Sequence, residues 1–213
     1  MSLRRNYIGI IPIVLVVVLV LWKLSQFIEL DFSGQGNDIL RFADVELSED
    51  EADRLDRDFI PGIEYVSNLT GTWAIRFLLA AFLMSPVSLF LGRSFPLYLR
   101  QSIGITTGLF TMLHVFVFIY SESFLSIFTR IELILGFLAF LIILSLTLTS
   151  NKKAMKLLKY RWKRLHRWVY LAAVLVMLHI IILDHSWLIY GVLFGLGFIC
   201  RIKAVKRLIK SRV

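Results

Sequence analysis

The chain has 213 residues, 58% of them hydrophobic and 17 of them phenylalanine, and its mean hydropathy is +0.76. Soluble domains are closer to half apolar, and long uninterrupted apolar runs mark bilayer spans, so an ordinary soluble domain is excluded. The net charge of +9 sits between the apolar runs, which makes it a topology signal and not a nucleic-acid surface.

In chain order the apolar runs predict six helices, at about 7–28, 70–92, 101–120, 131–149, 166–184 and 187–200. Each approaches the roughly 20 residues needed to cross about 30 Å of hydrocarbon, the last only if it extends to about 205. The first run follows MSLRR and resembles a secretory signal, but it is longer than a signal core and lacks a small-x-small cleavage site. It is read as a retained helix. The expected fold class is therefore an all-α membrane protein, a bundle of six transmembrane helices with both termini inside. Its parts are a first transmembrane helix at 1–28, an acidic periplasmic loop at 29–66, and a membrane domain at 67–213 with a basic cytoplasmic tail.

Charge placement sets this orientation. All 15 Asp and Glu fall on one side, from Glu29 to Glu64 and then at Glu122, Glu132 and Asp184. On the other side lie Arg4, Arg5, Arg93, Arg100, eight basic residues from Lys152 to Arg167, and six from Arg201 onward, together 18 of the 24. The positive-inside rule then puts both termini in the cytoplasm of a multi-pass protein in a bacterial inner (cytoplasmic) membrane.

Between the spans, the segment VELSEDEADRLDRDF carries Ser48 as an N-cap ahead of acidic residues, which predicts a short surface helix. It is either a docking surface or a solvated charged loop. Pro86 is expected to kink the second helix or end its straight part near Ser85. The basic stretch 150–165 is expected to lie on the anionic inner leaflet or to meet an electron donor. No internal repeat is evident. Cys200 is the only cysteine, which excludes an intrachain disulfide, an iron–sulfur cluster and a CxxC motif.

Three of the four histidines lie in or at the edge of apolar runs, where an imidazole is costly and usually has a task. His114 and His179 fall on different outward-running helices, each roughly 8–9 Å below the outer end. Two imidazoles at one depth suit bis-histidine ligation of haem iron. Arg76 falls at the same level, where it either pairs with haem propionates or a quinone oxygen, or snorkels to the surface. His166 lies 13 residues before His179, about 20 Å lower and about 140° around the helix. It is open to three uses: ligating a haem without a histidine partner, binding a flavin or quinone, or capping the basic loop. His185 is expected to be solvated.

The stretches TGTWAIRFLLAAFLMSP, MLHVFVFIY, LTLTSNKKAMKLLKYRWKRLHRWVY and VLVMLHIIILDH resemble the ferric-reductase-like transmembrane superfamily. Within it they are most similar to the haem-binding membrane subunits of periplasmic methionine sulfoxide reductase systems. The resemblance covers about residues 67–200, and its strongest element is R-W-x-x-L-H-x-x-V-Y from Arg161 to Tyr170. It implies a b-type haem, one or two per chain, with His114, His166 and His179 at the family's histidine positions. It also implies electrons from the quinone pool or a cytoplasmic flavin reductase, and a periplasmic molybdenum-containing partner of the MsrP type. The family is linked to FMN as well, for which no residue pattern is evident here. The acidic loop is longer than the resemblance leads one to expect, and FTRIELILG stands where relatives often carry Arg-Pro.

The resulting expectation is an electron-transfer subunit without a catalytic residue of its own. The competing readings are a ferric or other metal reductase, a haem-free proton-coupled transporter, and a membrane anchor. The transporter reading lacks an intramembrane Asp or Glu to partner the histidines.

Overall fold

The computed structural model describes residues 10–30, 40–183 and 187–210. Arg4, Arg5, Tyr7, Asp184 and His185 lie outside the described residues.

Helix α1, Ile11–Ser25, begins with Pro12 in its first turn and ends beside Lys23, placements that suit a helix start and a helix end respectively. At 15 residues it is about 22 Å long. Only Val20 and Leu24 are buried on it. They pack against Val66, Phe77, Phe110 and Val117, while Val14, Leu15, Val18, Leu19 and Trp22 face outward.

The acidic segment, expected as a loop with one short helix, adds two small strand pairs to a fold that is otherwise helical. Strands β1 (Ile28–Leu30) and β2 (Leu40–Phe42) pair antiparallel, with Ile28 opposite Phe42, and β3 (Val45–Glu46) pairs with β4 (Phe59–Ile60). Two- and three-residue strands are too short to leave an alternation in the sequence. The predicted surface helix is present as α2, Glu49–Leu55, with Ser48 at its N-cap position. Tyr120 ties this cap to the bundle by donating its hydroxyl to the Leu40 carbonyl at 2.9 Å.

Helix α3 runs from Gly62 to Phe90, eight residues earlier than expected. The polar residues Ser67, Asn68 and Thr70 hid this earlier start, yet Thr70 satisfies its hydroxyl on the carbonyls of Val66 and Ser67 at 2.8 and 2.9 Å and is buried. The Asp44 carboxylate accepts the Gly62 N–H at 2.9 Å, filling one of the open donors at the helix start. Gly62 itself lies against the Ala43 carbonyl with no room for a Cβ. Pro86 lies inside α3 without ending it.

Helix α4 is Leu97–Ser121, and α5 is Ile131–Leu148. The basic stretch expected as a loop forms two short helices, α6 (Lys152–Leu158) and α7 (Tyr160–Leu165). Asn151 caps α6 by accepting from the Ala154 N–H at 2.8 Å. A 3-10 turn at His166–Trp168 joins α7 to α8, Val169–Leu183. Helices α9 (Trp187–Ile199) and α10 (Lys203–Lys210) follow. Among the described residues, four helical stretches are long and apolar enough to cross a membrane: 62–90, 97–121, 131–148 and 160–183. Helices α1 and α9 are apolar but shorter.

The bundle is two hairpins, α3 against α4 and α5 against α8, joined where α4 meets α5. Phe82, Ala172, Ala173 and Phe194 form the centre of the core between α3, α8 and α9. Small residues permit the close crossings. A Cβ on Gly108 of α4 would collide with the Thr147 side chain of α5. Gly108→Ala should therefore lower stability by about 1–3 kcal/mol. The double variant Gly108→Ala/Thr147→Ala removes the clash with Oγ1 and Cγ2 but leaves the Thr147 Cβ 2.8 Å from the new one, so it should recover only part of that loss in thermal unfolding of the detergent-solubilised protein.

Candidate functional site

His114 on α4 and His179 on α8 are held in the same way. The His114 Nδ1 lies 3.0 Å from the Ser67 carbonyl oxygen of α3, and the His179 Nδ1 lies 2.7 Å from the Glu132 carbonyl oxygen of α5. A carbonyl only accepts, so in each ring Nδ1 carries the proton and donates. That fixes the neutral tautomer and leaves the Nε2 lone pair free. A hydrogen bond at the far nitrogen also orients the ring and makes Nε2 more basic, as in metal-bound histidines generally.

A glycine makes each bond accessible. A helical side chain leans toward the N-terminus and covers the turn before it. Gly71, four residues after Ser67, and Gly136, four after Glu132, leave those carbonyls uncovered. A Cβ on Gly71 would lie 3.0 Å from the His114 Cε1, and one on Gly136 would lie 2.9 Å from the His179 Cε1 and Nδ1. Each ring rests on bare helix backbone.

The correspondence reveals an internal repeat that the sequence reading missed. Adding 65 to Ser67, Gly71 and His114 gives Glu132, Gly136 and His179. The same offset matches Met112-Leu113-His114 to Met177-Leu178-His179, and Ala74 to Ala139. These few matches are the signal that would have found both glycines. Most other positions are interchangeable apolar residues, which hides the repeat.

The helices that carry the two imidazoles, α4 and α8, are not among the helix pairs that pack along one another. The surroundings of the two rings differ. Glu132 carries a mostly buried carboxylate next to His179, 3.6 Å from Arg130, which also reaches Glu122 at 3.7 Å.

Arg76 is not brought to this pair by any contact. It stands five residues past Gly71, about 140° around α3, is exposed, and stacks over Trp73 with its Cζ 5.0 Å from the ring centroid. His166 is at the opposite end of α8. Its Nε2 lies 3.3 Å from the Thr149 hydroxyl, and its ring stacks on Trp162 at 4.0 Å. Trp162 donates to the Thr149 carbonyl at 2.8 Å, so these contacts fasten the basic segment to the end of α5. By the 65-residue offset, the position matching His166 is Gln101, whose amide donates to the Met155 sulfur at 3.3 Å.

Long apolar helices that carry two tautomer-fixed imidazoles define a multi-pass helical membrane protein. Residues 70–177 match the family model described as ferric reductase like transmembrane component, and the chain belongs to that family. It is 30% identical over 150 residues to the "Protein-methionine-sulfoxide reductase heme-binding subunit MsrQ" of Yersinia pseudotuberculosis serotype O:1b (strain IP 31758), covering 65% of this chain and 74% of that one. The MsrQ subunit of Yersinia pestis (strain Pestoides F) gives the same identity over 150 residues, covering 65% and 73%. No solved structure matches the chain.

Gly71→Ala and Gly136→Ala should each push one imidazole off its carbonyl. Gly104→Ala and Gly195→Ala, where a Cβ meets nothing within 4 Å, should not. Spectra of ¹⁵N-histidine-labelled protein should show the Nδ1–H tautomer for His114 and His179 in the parent chain and in the two controls. Loss of that signature for one ring is expected in each cradle variant.

Proposed function

We propose that the chain is a cytochrome b of the bacterial inner membrane, with six spans and both termini in the cytoplasm. It carries electrons from quinol or a cytoplasmic flavin reductase across the membrane to a periplasmic molybdenum-containing methionine sulfoxide reductase. The observation that carries this reading is the duplicated histidine cradle. Two neutral imidazoles from separate helices, each with Nδ1 occupied and Nε2 free, are the donor set that axial ligation of a haem requires. The names of the MsrQ relatives support the same cofactor and the same kind of partner.

A bound haem b supplies one-electron chemistry at its iron. The chain's contribution is to position that group and to tune it. His114 and His179 would hold the haem through their free Nε2 atoms, and the Ser67 and Glu132 carbonyls hold their rings. The Glu132 carboxylate adds negative charge beside His179, which favours the oxidised state, and Arg130 moderates it. His166 lies about 20 Å from His179, so it serves a separate site at the basic end. A second haem there would face Gln101 in place of a second histidine. FMN rests on the family resemblance alone, and no described residue is assigned to it.

A dithionite-reduced minus oxidised spectrum with a haem-to-protein ratio tests the assignment. The parent chain should show a low-spin b-type signal with one or two haems. His114→Ala and His179→Ala should each lose the haem of this pair while still inserting, and His166→Ala should keep it. Full haem content in both ligand variants would refute the ligand pair. A colourless, folded parent chain would favour proton or substrate handling by the histidines. Glu132→Gln should raise the midpoint potential, by on the order of tens of mV, in a spectroelectrochemical titration.

A further inference from the structure

A second built site lies at the basic end of the bundle. It begins with Pro86, which has no N–H to give the carbonyl four residues earlier and so leaves the Phe82 oxygen without its helical donor. Arg201, just past the end of α9, supplies the missing donor: its Nη2 bonds the Phe82 carbonyl at 2.6 Å, and its Nη1 bonds the Gly197 carbonyl. The guanidinium lies 4.1 Å from the Phe82 ring centroid and 5.2 Å from that of Tyr170. Its Nε is buried and has no partner among the described residues.

Among the described residues no carboxylate pairs with Arg201, and none pairs with Arg93 nearby. A guanidinium drawn into a protein without a counter-charge is costly, and an unpaired buried N–H adds to that cost. The uncompensated charge is offset by an anion held in the cavity beside Arg201 and Arg93. A cavity of about 920 Å³ opens at this point, lined on its polar side by Ser85, Ser88, Ser94 and Arg93 and on its apolar side by Leu89 and Phe198. The volume is in the range of sites for whole small molecules, too large for a phosphate alone. Ser85 is 14 residues along α3 from Gly71, about 21 Å, so this is not the histidine site.

We propose that this cavity binds the phosphate of an anionic phospholipid from the basic-side leaflet. The phosphate oxygens accept from the Arg93 guanidinium and the serine hydroxyls, the Arg201 charge in the cavity wall draws them in, and the acyl chains leave along Leu89 and Phe198. A phosphodiester suits guanidinium donors, and basic pockets between spanning helices are where lipid headgroups dock.

The test uses the full chain in detergent, with native mass spectrometry after titration with phosphatidylglycerol, phosphatidylcholine or inorganic phosphate. One phosphatidylglycerol should be retained per chain, about tenfold more tightly than phosphatidylcholine. Arg93→Gln should weaken it about tenfold, the scale of one charge-assisted bond, and Arg201→Gln should weaken it as well. Arg93 is exposed and holds no part of the fold, so Arg93→Gln decides the matter even if Arg201→Gln does not fold. Equal retention by the parent chain and Arg93→Gln, or no preference for the anionic lipid, would overturn the proposal. So would millimolar inorganic phosphate displacing the lipid, which would mark the cavity as a site for a free phosphate.

Discussion

The arrangement depends on one interaction, an imidazole N–H donated across a helix crossing to a backbone carbonyl that a glycine has left uncovered. In hydrocarbon no water competes for either group, so the bond both satisfies the ring and states which nitrogen keeps the lone pair. It also brings α4 onto α3, and α8 onto α5, with each ring so near the glycine that a Cβ there would lie 3.0 or 2.9 Å from it. Helix packing and ligand orientation are therefore settled by the same contact. Because it occurs twice, the two rings come from equivalent places in two hairpins.

The basic end uses a related device with different chemistry. There a carbonyl is freed because Pro86 removes its donor, and a charged side chain from another helix fills the gap. At one end a bare carbonyl orients a neutral ring; at the other it anchors a cation. In both cases a residue often treated as a helix breaker creates an acceptor within an intact helix, which is how spanning helices tolerate glycine and proline. The aromatic packing of Phe82 against Phe194, Phe198 and Tyr170 keeps the region around Arg201 dense on its inner side, so its opening is toward the cavity.

The two halves of the histidine site are equivalent in backbone but not in charge. Ser67 places a neutral side chain beside one cradle, whereas Glu132 places a carboxylate beside the other, joined to Arg130 and through it to Glu122. The two cradles share a 65-residue offset and their geometry, and the different residues at the polar positions of that offset account for the electrostatic difference. The same offset gives Gln101 where the second half has His166, so equivalence at one end of the bundle is not matched at the other.

Taken alone, the sequence determined the membrane class, the approximate positions of the long helices and the candidacy of His114 and His179, because apolar run length and an imidazole in hydrocarbon are local properties. It also placed the α2 helix, whose start follows from Ser48 and the acids after it. Only the tertiary structure decided what those histidines touch, that Gly71 and Gly136 seat them, that Arg76 faces away, that His166 is engaged by Thr149 and Trp162, and that Pro86 and Arg201 belong together. Most of these rest on contacts between residues far apart in the chain, and the two histidine cradles and the Pro86–Arg201 pairing are made through a backbone carbonyl or a missing Cβ. Neither leaves a mark in residue type that periodicity or hydropathy can read.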